Sequence, residues 1–598
     1  MASNLRLIAS DAATLRADSN RGKPERSSAQ NATAPGGDFE RNLDYNLLGQ
    51  RKWALWKTLL TFCGLSLAMF MVCAAETMFN QILDDLKKDF VTTIFGQWMA
   101  VAFLLPCVML QPIWVKLAEK FGRQWPLFIS TLIFMVFSVM VAASKSMIVM
   151  CVGRALQGVG GAGMMPLALV VLTDILTPGQ RGFYMGVLGA IIILATWTSP
   201  IIGAALYAHS NWRWVGYMNL PIGVAALAIL YATLHDLPTP PGGRTRKLRE
   251  FDYLGTLFWL GGSTMILLAL SWGGNEYQWD SAVVICLFVF GFATIFGFGV
   301  IEGKYAKWPI IPLQLLIRRR TLLTIVASFF IGLCMYGMVI FVPMYYIIVM
   351  AEKALPAVMH ILWSALGACI GAVVAGGLVN ARGRVYYREW AVFGTALMAV
   401  GYVLMYTWPR DTAETGKHAG FQVLVGLGLG FCMQQVLLAS QAGLPANEIS
   451  TVTTLIDYAR TLGGMIGLVV GEVILKERIA ITVRESFSAF LGSMPSSGGA
   501  AQDASAVGSY APLITLLPSS MSEPFYKGVV NALRLVFVVD VPFAAIACIL
   551  CLFIGNIPLH HILPVTSTEE IPEGVAMVYR KKEERNESRH NLIEGTFM

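Results

Sequence analysis

The chain has 598 residues, of which 56% are hydrophobic and only 14% charged, and its mean hydropathy is +0.61. Soluble domains carry roughly 25% charged residues, so the composition excludes an ordinary soluble protein and points to a polytopic membrane protein. The net charge of +7 does not indicate nucleic acid, because the basic residues lie between apolar runs and in the tails, not on one basic and aromatic surface.

Residues 1–52 are polar and too poor in apolar side chains to bury a core, which reads as a disordered cytoplasmic tail. The first apolar run begins near Leu55, too late for a cleavable signal, so it is taken as the first span. Runs long enough for a membrane helix, about 20 residues, lie at approximately 55–79, 95–115, 125–143, 147–173, 183–207, 215–234, 252–272, 281–301, 321–349, 356–379, 388–408, 419–441, 451–475 and 529–555. These are spans 1 to 14. Lys and Arg favour the cytoplasmic side; with the N-terminus inside, the inner connections hold Lys116, Lys120, Arg123, Arg181, Arg244, Lys304, Arg318 and Arg384, and an even span count returns the C-terminus inside. All ten cysteines lie in apolar runs and read as small hydrophobes, and Cys548-x-x-Cys551 has no second pair, so neither a metal nor a cofactor is expected.

An internal repeat organises the chain. The connection after span 2 reads Val115-Lys-Leu-Ala-Glu119-Lys-Phe-Gly122-Arg123, and the one after span 10 reads Gly376-Gly-Leu-Val-Asn380-Ala-Arg-Gly383-Arg384. Each follows the second span of a six-span block, and transporters are often built from related halves around a central site. The expected divisions are an N-terminal six-helix bundle at 53–235 and a loop with two additional helices at 236–303. A C-terminal six-helix bundle at 304–556 follows, with a long extracellular loop at about 477–527, then a cytoplasmic tail at 557–598.

Charges within spans are costly and mark a pathway or a pair. Glu76 in span 1 and Arg154 in span 4 stand out: an acid beside a movable positive partner can exchange a proton, or the two can form a permanent structural pair. Asp457 and Arg460 in span 13 are three residues apart and share a helix face. Arg534 and Asp540 in span 14 do not, so each needs another partner. Gly463, Gly467 and Gly471 in span 13, and Gly367 and Gly371 in span 10, form stripes for close helix packing, static or sliding. Gly158-Val-Gly160-Gly-Ala-Gly163 lies in an apolar helical run without a preceding strand and is not a dinucleotide loop. Trp98, Trp197, Phe341, Tyr345, Tyr346 and Trp363 are candidate cavity aromatics, with lipid-facing or packing roles as the alternative. Glu119 and Arg123 are candidate gating residues, pairing with helix ends or with Arg181.

At these motifs the sequence resembles the major facilitator superfamily, in its fourteen-span drug:proton antiporter branch as found in fungi, from about Leu55 to Ile554. The loop motif is Val115 to Arg123, with Glu119 for the usual Asp; the span 4 motif is Arg154, Gln157 and Gly158; Trp212-Arg-Trp-Val-Gly-Tyr-Met-Asn219-Leu-Pro221 and Ser271-Trp272-Gly273-Gly274 also match. The antiporter motif of span 5 is reduced to Gly189, Pro200 and Gly203, and the span 1 acid is shifted by one position to Glu76, about 100° around the helix.

The resemblance implies an all-α polytopic membrane protein with the major facilitator fold, two six-helix bundles plus two inserted helices. The expected gating loop is Glu119, Gly122, Arg123, Arg181, Asn380 and Arg384, and Gln157 is a candidate cavity residue; read from their charges alone, Glu76, Asp457 and Asp540 with Arg154 and Arg460 are the candidates for proton coupling, with a structural pair as the alternative for Asp457 and Arg460. The expected function is proton-coupled export of small amphiphilic molecules across the plasma membrane, or a vacuolar or other internal one. Alternatives are a siderophore or amino-acid transporter of the same fold, or a transport-dead sensor. The sequence lacks a nucleotide-binding Gly-x-x-x-x-Gly-Lys-Ser/Thr loop, a His-Glu-x-x-His run and a Gly-x-Ser-x-Gly elbow, which argues against direct ATP drive and against an enzyme. The expected partners are the lipid bilayer, protons and a small-molecule substrate, with no nucleic acid and the chain monomeric.

Overall fold

A computed structural model describes residues 55–81, 98–176, 178–235, 248–274, 277–306, 308–350, 352, 354–379, 386–407, 415–444, 446–491 and 519–555. All lie in one compact unit, Tyr45–Met598. Thirteen helices among them are long and apolar enough to cross a bilayer, and one bent pair makes a fourteenth.

The spans are 1 (Leu55–Gln81), 2 (Trp98–Met109 and Gln111–Phe121), 3 (Gln124–Ala142), 4 (Met147–Ile175), 5 (Pro178–His209), 6 (Asn219–Leu234, after a short turn of helix at Arg213–Tyr217) and 7 (Tyr253–Trp272). They continue as 8 (Ala282–Lys304), 9 (Arg319–Ile348), 10 (Ala354–Met359 and Leu362–Leu378), 11 (Tyr387–Tyr406), 12 (Thr415–Gln441), 13 (Ala446–Leu491) and 14 (Ser519–Leu552). Span 2 bends by 43° between its halves. Pro106 lies inside the first half and Pro112 opens the second, and each removes an amide N–H from the helical ladder.

Span 13 departs from the expected boundaries. It runs for 46 residues, so the first part of the stretch expected to be an extracellular loop, from 477 to 491, is helix. The physical reason is local: Lys476-Glu-Arg-Ile-Ala continues with good helix formers, and Glu472 and Lys476 pair at 3.9 Å one turn apart. The Ser- and Gly-rich part at 492–518 lies outside the described residues, as do both tails.

Spans 1 to 6 pack among themselves, as do spans 9 to 14, while spans 7 and 8 pair with each other against spans 2 and 13. Spans 5 and 10 meet along the border of the two groups. Glycine sets the closest approaches: a Cβ on Gly463 or Gly467 would fall 2.0 or 2.2 Å from the carbonyl oxygens of Phe329 and Leu333 in span 9. Gly367 and Gly371 press in the same way on the Val423 and Leu427 carbonyls of span 12, at 2.3 and 2.5 Å. A Cβ on Gly158, Gly160 or Gly163 would fall under 3.0 Å from Phe103, Phe134 or Ser130 respectively, so this run serves helix crossing.

Candidate functional site

The buried charges converge where the two groups of spans face each other. Glu76, buried on span 1, accepts a hydrogen bond from the Tyr336 hydroxyl of span 9 at 2.7 Å. Arg460 pairs with Asp457 one turn before it on span 13, and Gln111 of span 2 donates to the other Asp457 oxygen at 3.3 Å. Asp457, Arg154 and Arg460 are the charged groups whose fields reach Glu76. Two buried carboxyl groups, one on each side of the border, are thus each held by a neutral donor from the opposite side. Gly464 leaves room for this arrangement, since a Cβ there would fall 2.1 Å from the Tyr336 ring.

Arg154 does not pair with Glu76, contrary to the simplest reading of the sequence. Its guanidinium lies between the rings of Phe79 and Phe103, 4.7 and 4.3 Å from their centroids, and donates to Gln157 at 2.9 Å. Gln157 in turn donates to Ser138 at 2.7 Å, and Asn219 reaches the same hydroxyl at 3.3 Å. The aromatic faces and this polar chain take the place of a carboxylate. Arg154 and Gln157 come from the span 4 motif and Asn219 from the Trp212–Pro221 stretch; Ser138, which joins Gln157 to Asn219, carries no signal in the sequence because a lone Ser in an apolar helix resembles many others.

On the side bearing the basic connections, Gly122 adopts φ 91°, a conformation that favours glycine, and ends the second half of span 2. The turn directs Arg123 to Asp174 at the end of span 4, at 2.9 Å. Glu119 pairs with Lys116 at 3.1 Å and accepts from the Ser450 and Thr451 hydroxyls of span 13 at 3.4 Å. Arg181 donates to the Leu176 carbonyl at 3.3 Å. The corresponding second loop, with Asn380 and Arg384, lies outside the described residues. Removing Arg123, buried at 3% exposure, as Arg123→Ala takes that partner from Asp174 and weakens the state in which the two pair, relative to the other states of the cycle, by about 3 kcal/mol. Transport is expected to fall at least about tenfold with surface abundance kept. Rate and abundance measured together check this, and a normal rate removes the contact from the cycle.

The remaining candidates separate. Gly189 faces Gln434 of span 12, whose amide would lie 1.8 Å from a Cβ, and Gly203 packs on Met78 of span 1; Pro200 lies within the span 5 helix. Trp197 is fully buried in the apolar cluster that joins span 5 to the second group of spans, with its indole N–H unpartnered among the described residues. Trp363 is 44% exposed, which is compatible with the lipid-facing role that was the alternative to cavity lining. Phe341 and Tyr345 make close packing contacts, the alternative to cavity lining. Phe341 fills the gap over Gly471, and Tyr345 packs edge-on to Tyr346 and His418 at 5.7 and 6.0 Å. Asp540 is buried next to Gly337, its Oδ2 without a hydrogen bond among the described residues, away from the Glu76 cluster. The Trp98 side chain is outside the described ones.

Known proteins fit this architecture. The dotC efflux pump of Dothistroma septosporum is 29% identical over 528 residues, 88% of this chain and 87% of dotC. The multidrug transporter protein MdtP of Bacillus subtilis (strain 168) is 29% identical over 519 residues, covering 84% and 94%. The solved human organic anion transporter MFSD10 superposes with a TM-score of 0.52 at 12% identity, over 83% of this chain and 98% of that one, a likeness of fold. The profile of the Major Facilitator Superfamily matches residues 65–468, more than half of the chain. A multi-pass membrane protein with these motifs in this order belongs to the major facilitator superfamily.

Proposed function

We propose that this chain exports small, amphiphilic organic molecules across the plasma membrane in exchange for protons, with Glu76 carrying the proton. The observation that supports this most directly is the Glu76–Tyr336 hydrogen bond, which joins a buried acid on one group of spans to a neutral donor on the other. A carboxylate needs that bond more than a neutral acid does, so gain or loss of a proton changes how strongly the groups hold together. Asp457 and Gln111 form a second such link. Export is supported by the likeness to dotC, an efflux pump, and an organic substrate by the likeness to MdtP, a multidrug transporter. A mainly apolar border, with the unpartnered Trp197 indole and the Gln434 carbonyl oxygen, suits a substrate that is largely apolar and bears a few polar atoms.

The test begins with comparative metabolite profiling of cells and medium with and without the gene. An amphiphilic compound should disappear from the medium and accumulate in cells; an unchanged profile argues against export. The full chain in vesicles containing a pH-sensitive dye then reads stoichiometric proton exchange against that compound. Uptake indifferent to an imposed pH gradient rules out the proton part.

A further inference from the structure

We infer that Trp259, on the inserted pair of spans, is a positioning residue that holds the bend of span 2 so that Gln111 reaches Asp457 across the border of the two groups. Trp259 is buried on span 7, and its indole N–H donates to the Met109 carbonyl at 3.0 Å. Met109 is the last residue before the break in span 2, and Gln111 is the first residue after it. The Trp259 ring also packs on Tyr458, with centroids 4.9 Å apart, and on Phe298 of span 8 at 5.3 Å. Tyr458 is the neighbour of Asp457 in span 13. One indole from outside both bundles therefore touches the span 2 backbone next to Gln111 and the span 13 side chain next to Asp457, on either side of the Gln111–Asp457 hydrogen bond.

A second contact one level toward the basic side supports the same role. Glu302, near the end of span 8, accepts the backbone N–H of Ile311. Ile310 and Ile311, on the segment after span 8, border one small gap together with Pro112 and Val115 of span 2 and Thr451 and Leu455 of span 13, and share an apolar cluster with Leu455. The inserted pair thus closes over the border of spans 2 and 13 at two heights. A broken helix has lost the hydrogen bonds that would fix its bend angle, and an external donor at the break restores one of them. This inference rests on the fold and not on the proton-exchange reading.

The test uses the purified full chain in lipid nanodiscs and needs no substrate. Trp259→Phe keeps a ring against Tyr458 and Phe298 but removes the N–H. Deuterium uptake at residues 108–116 should rise about fivefold, as for one lost hydrogen bond, whereas Phe298→Leu, which loosens the same apolar cluster, should leave it near the wild-type value. The thermal midpoint is then followed with pH. Asp457 is faced by Arg460 on its own helix, Glu76 and Cys73 on span 1, and Gln111 and Cys107 on span 2; Tyr336 of span 9 reaches the cluster through Glu76. If Trp259 positions Gln111, then Trp259→Phe and Gln111→Leu both lower the midpoint more at alkaline than at acid pH, because the hydrogen bond to Asp457 matters when the carboxylate is ionised. The double variant should add no further pH-dependent loss. Unchanged uptake at 108–116, or a loss in Trp259→Phe that is flat with pH, overturns the inference; a purely structural role gives the flat loss.

Discussion

Glu76→Gln abolishes accumulation of substrate against its gradient under an imposed pH gradient, while downhill exchange continues near the wild-type rate. The amide has the shape of the carboxyl group and can still accept the Tyr336 hydrogen bond, so the contact between spans 1 and 9 survives while the proton-binding group is gone. Because Arg154 is held by Phe79, Phe103 and Gln157, no buried cation is stranded by the change. Folding and surface abundance should therefore be retained, which a permanent Glu76–Arg154 pair would not allow. Tyr336→Phe is the complementary variant. It leaves the carboxyl group buried without its donor, costing about 1.5–3 kcal/mol, and is expected to slow exchange in both directions. A well-folded Glu76→Gln protein that still concentrates substrate moves the proton elsewhere, with Asp457 and Asp540 next to be tested.

The number of spans and the fold family were legible because each run of about 20 apolar residues is a local signal, and because the loop and span 4 motifs need specific residues at fixed spacing. Gly122 is a good example: the turn's backbone conformation is written in one residue. The partners of buried charges were less legible. Glu76 and Tyr336 are 260 positions apart, and Tyr336 looks like any aromatic residue of an apolar helix. Arg154 misled for a related reason, since charge alone suggests an acidic partner whereas two rings and an amide serve it. The inserted pair was recognisable only as an addition to two bundles. Its contact with the bend of span 2 depends on an indole N–H and one backbone carbonyl, and neither leaves a pattern in the sequence.

Two neighbouring glycines in span 13 should respond in opposite ways to the same substitution. At Gly463 an added methyl group would lie 2.0 Å from the Phe329 carbonyl oxygen, an atom fixed in the backbone of span 9. Relief requires the two helices to separate, so Gly463→Ala should cost about 3 kcal/mol and show as lost surface abundance and a lower thermal midpoint. At Gly464 the methyl group meets the Tyr336 ring, 2.1 Å away, which is free to rotate about its own bonds. The ring swings aside and its hydroxyl leaves Glu76. Gly464→Ala should therefore keep abundance but reduce transport to the level of Tyr336→Phe. In a Tyr336→Ala background the ring is absent, and adding Gly464→Ala should change the rate little, the non-additivity expected of residues in direct contact. If Gly464→Ala transports normally, the ring does not set the state of Glu76; if it is lost from the membrane as Gly463→Ala is, the two positions both act through helix packing alone.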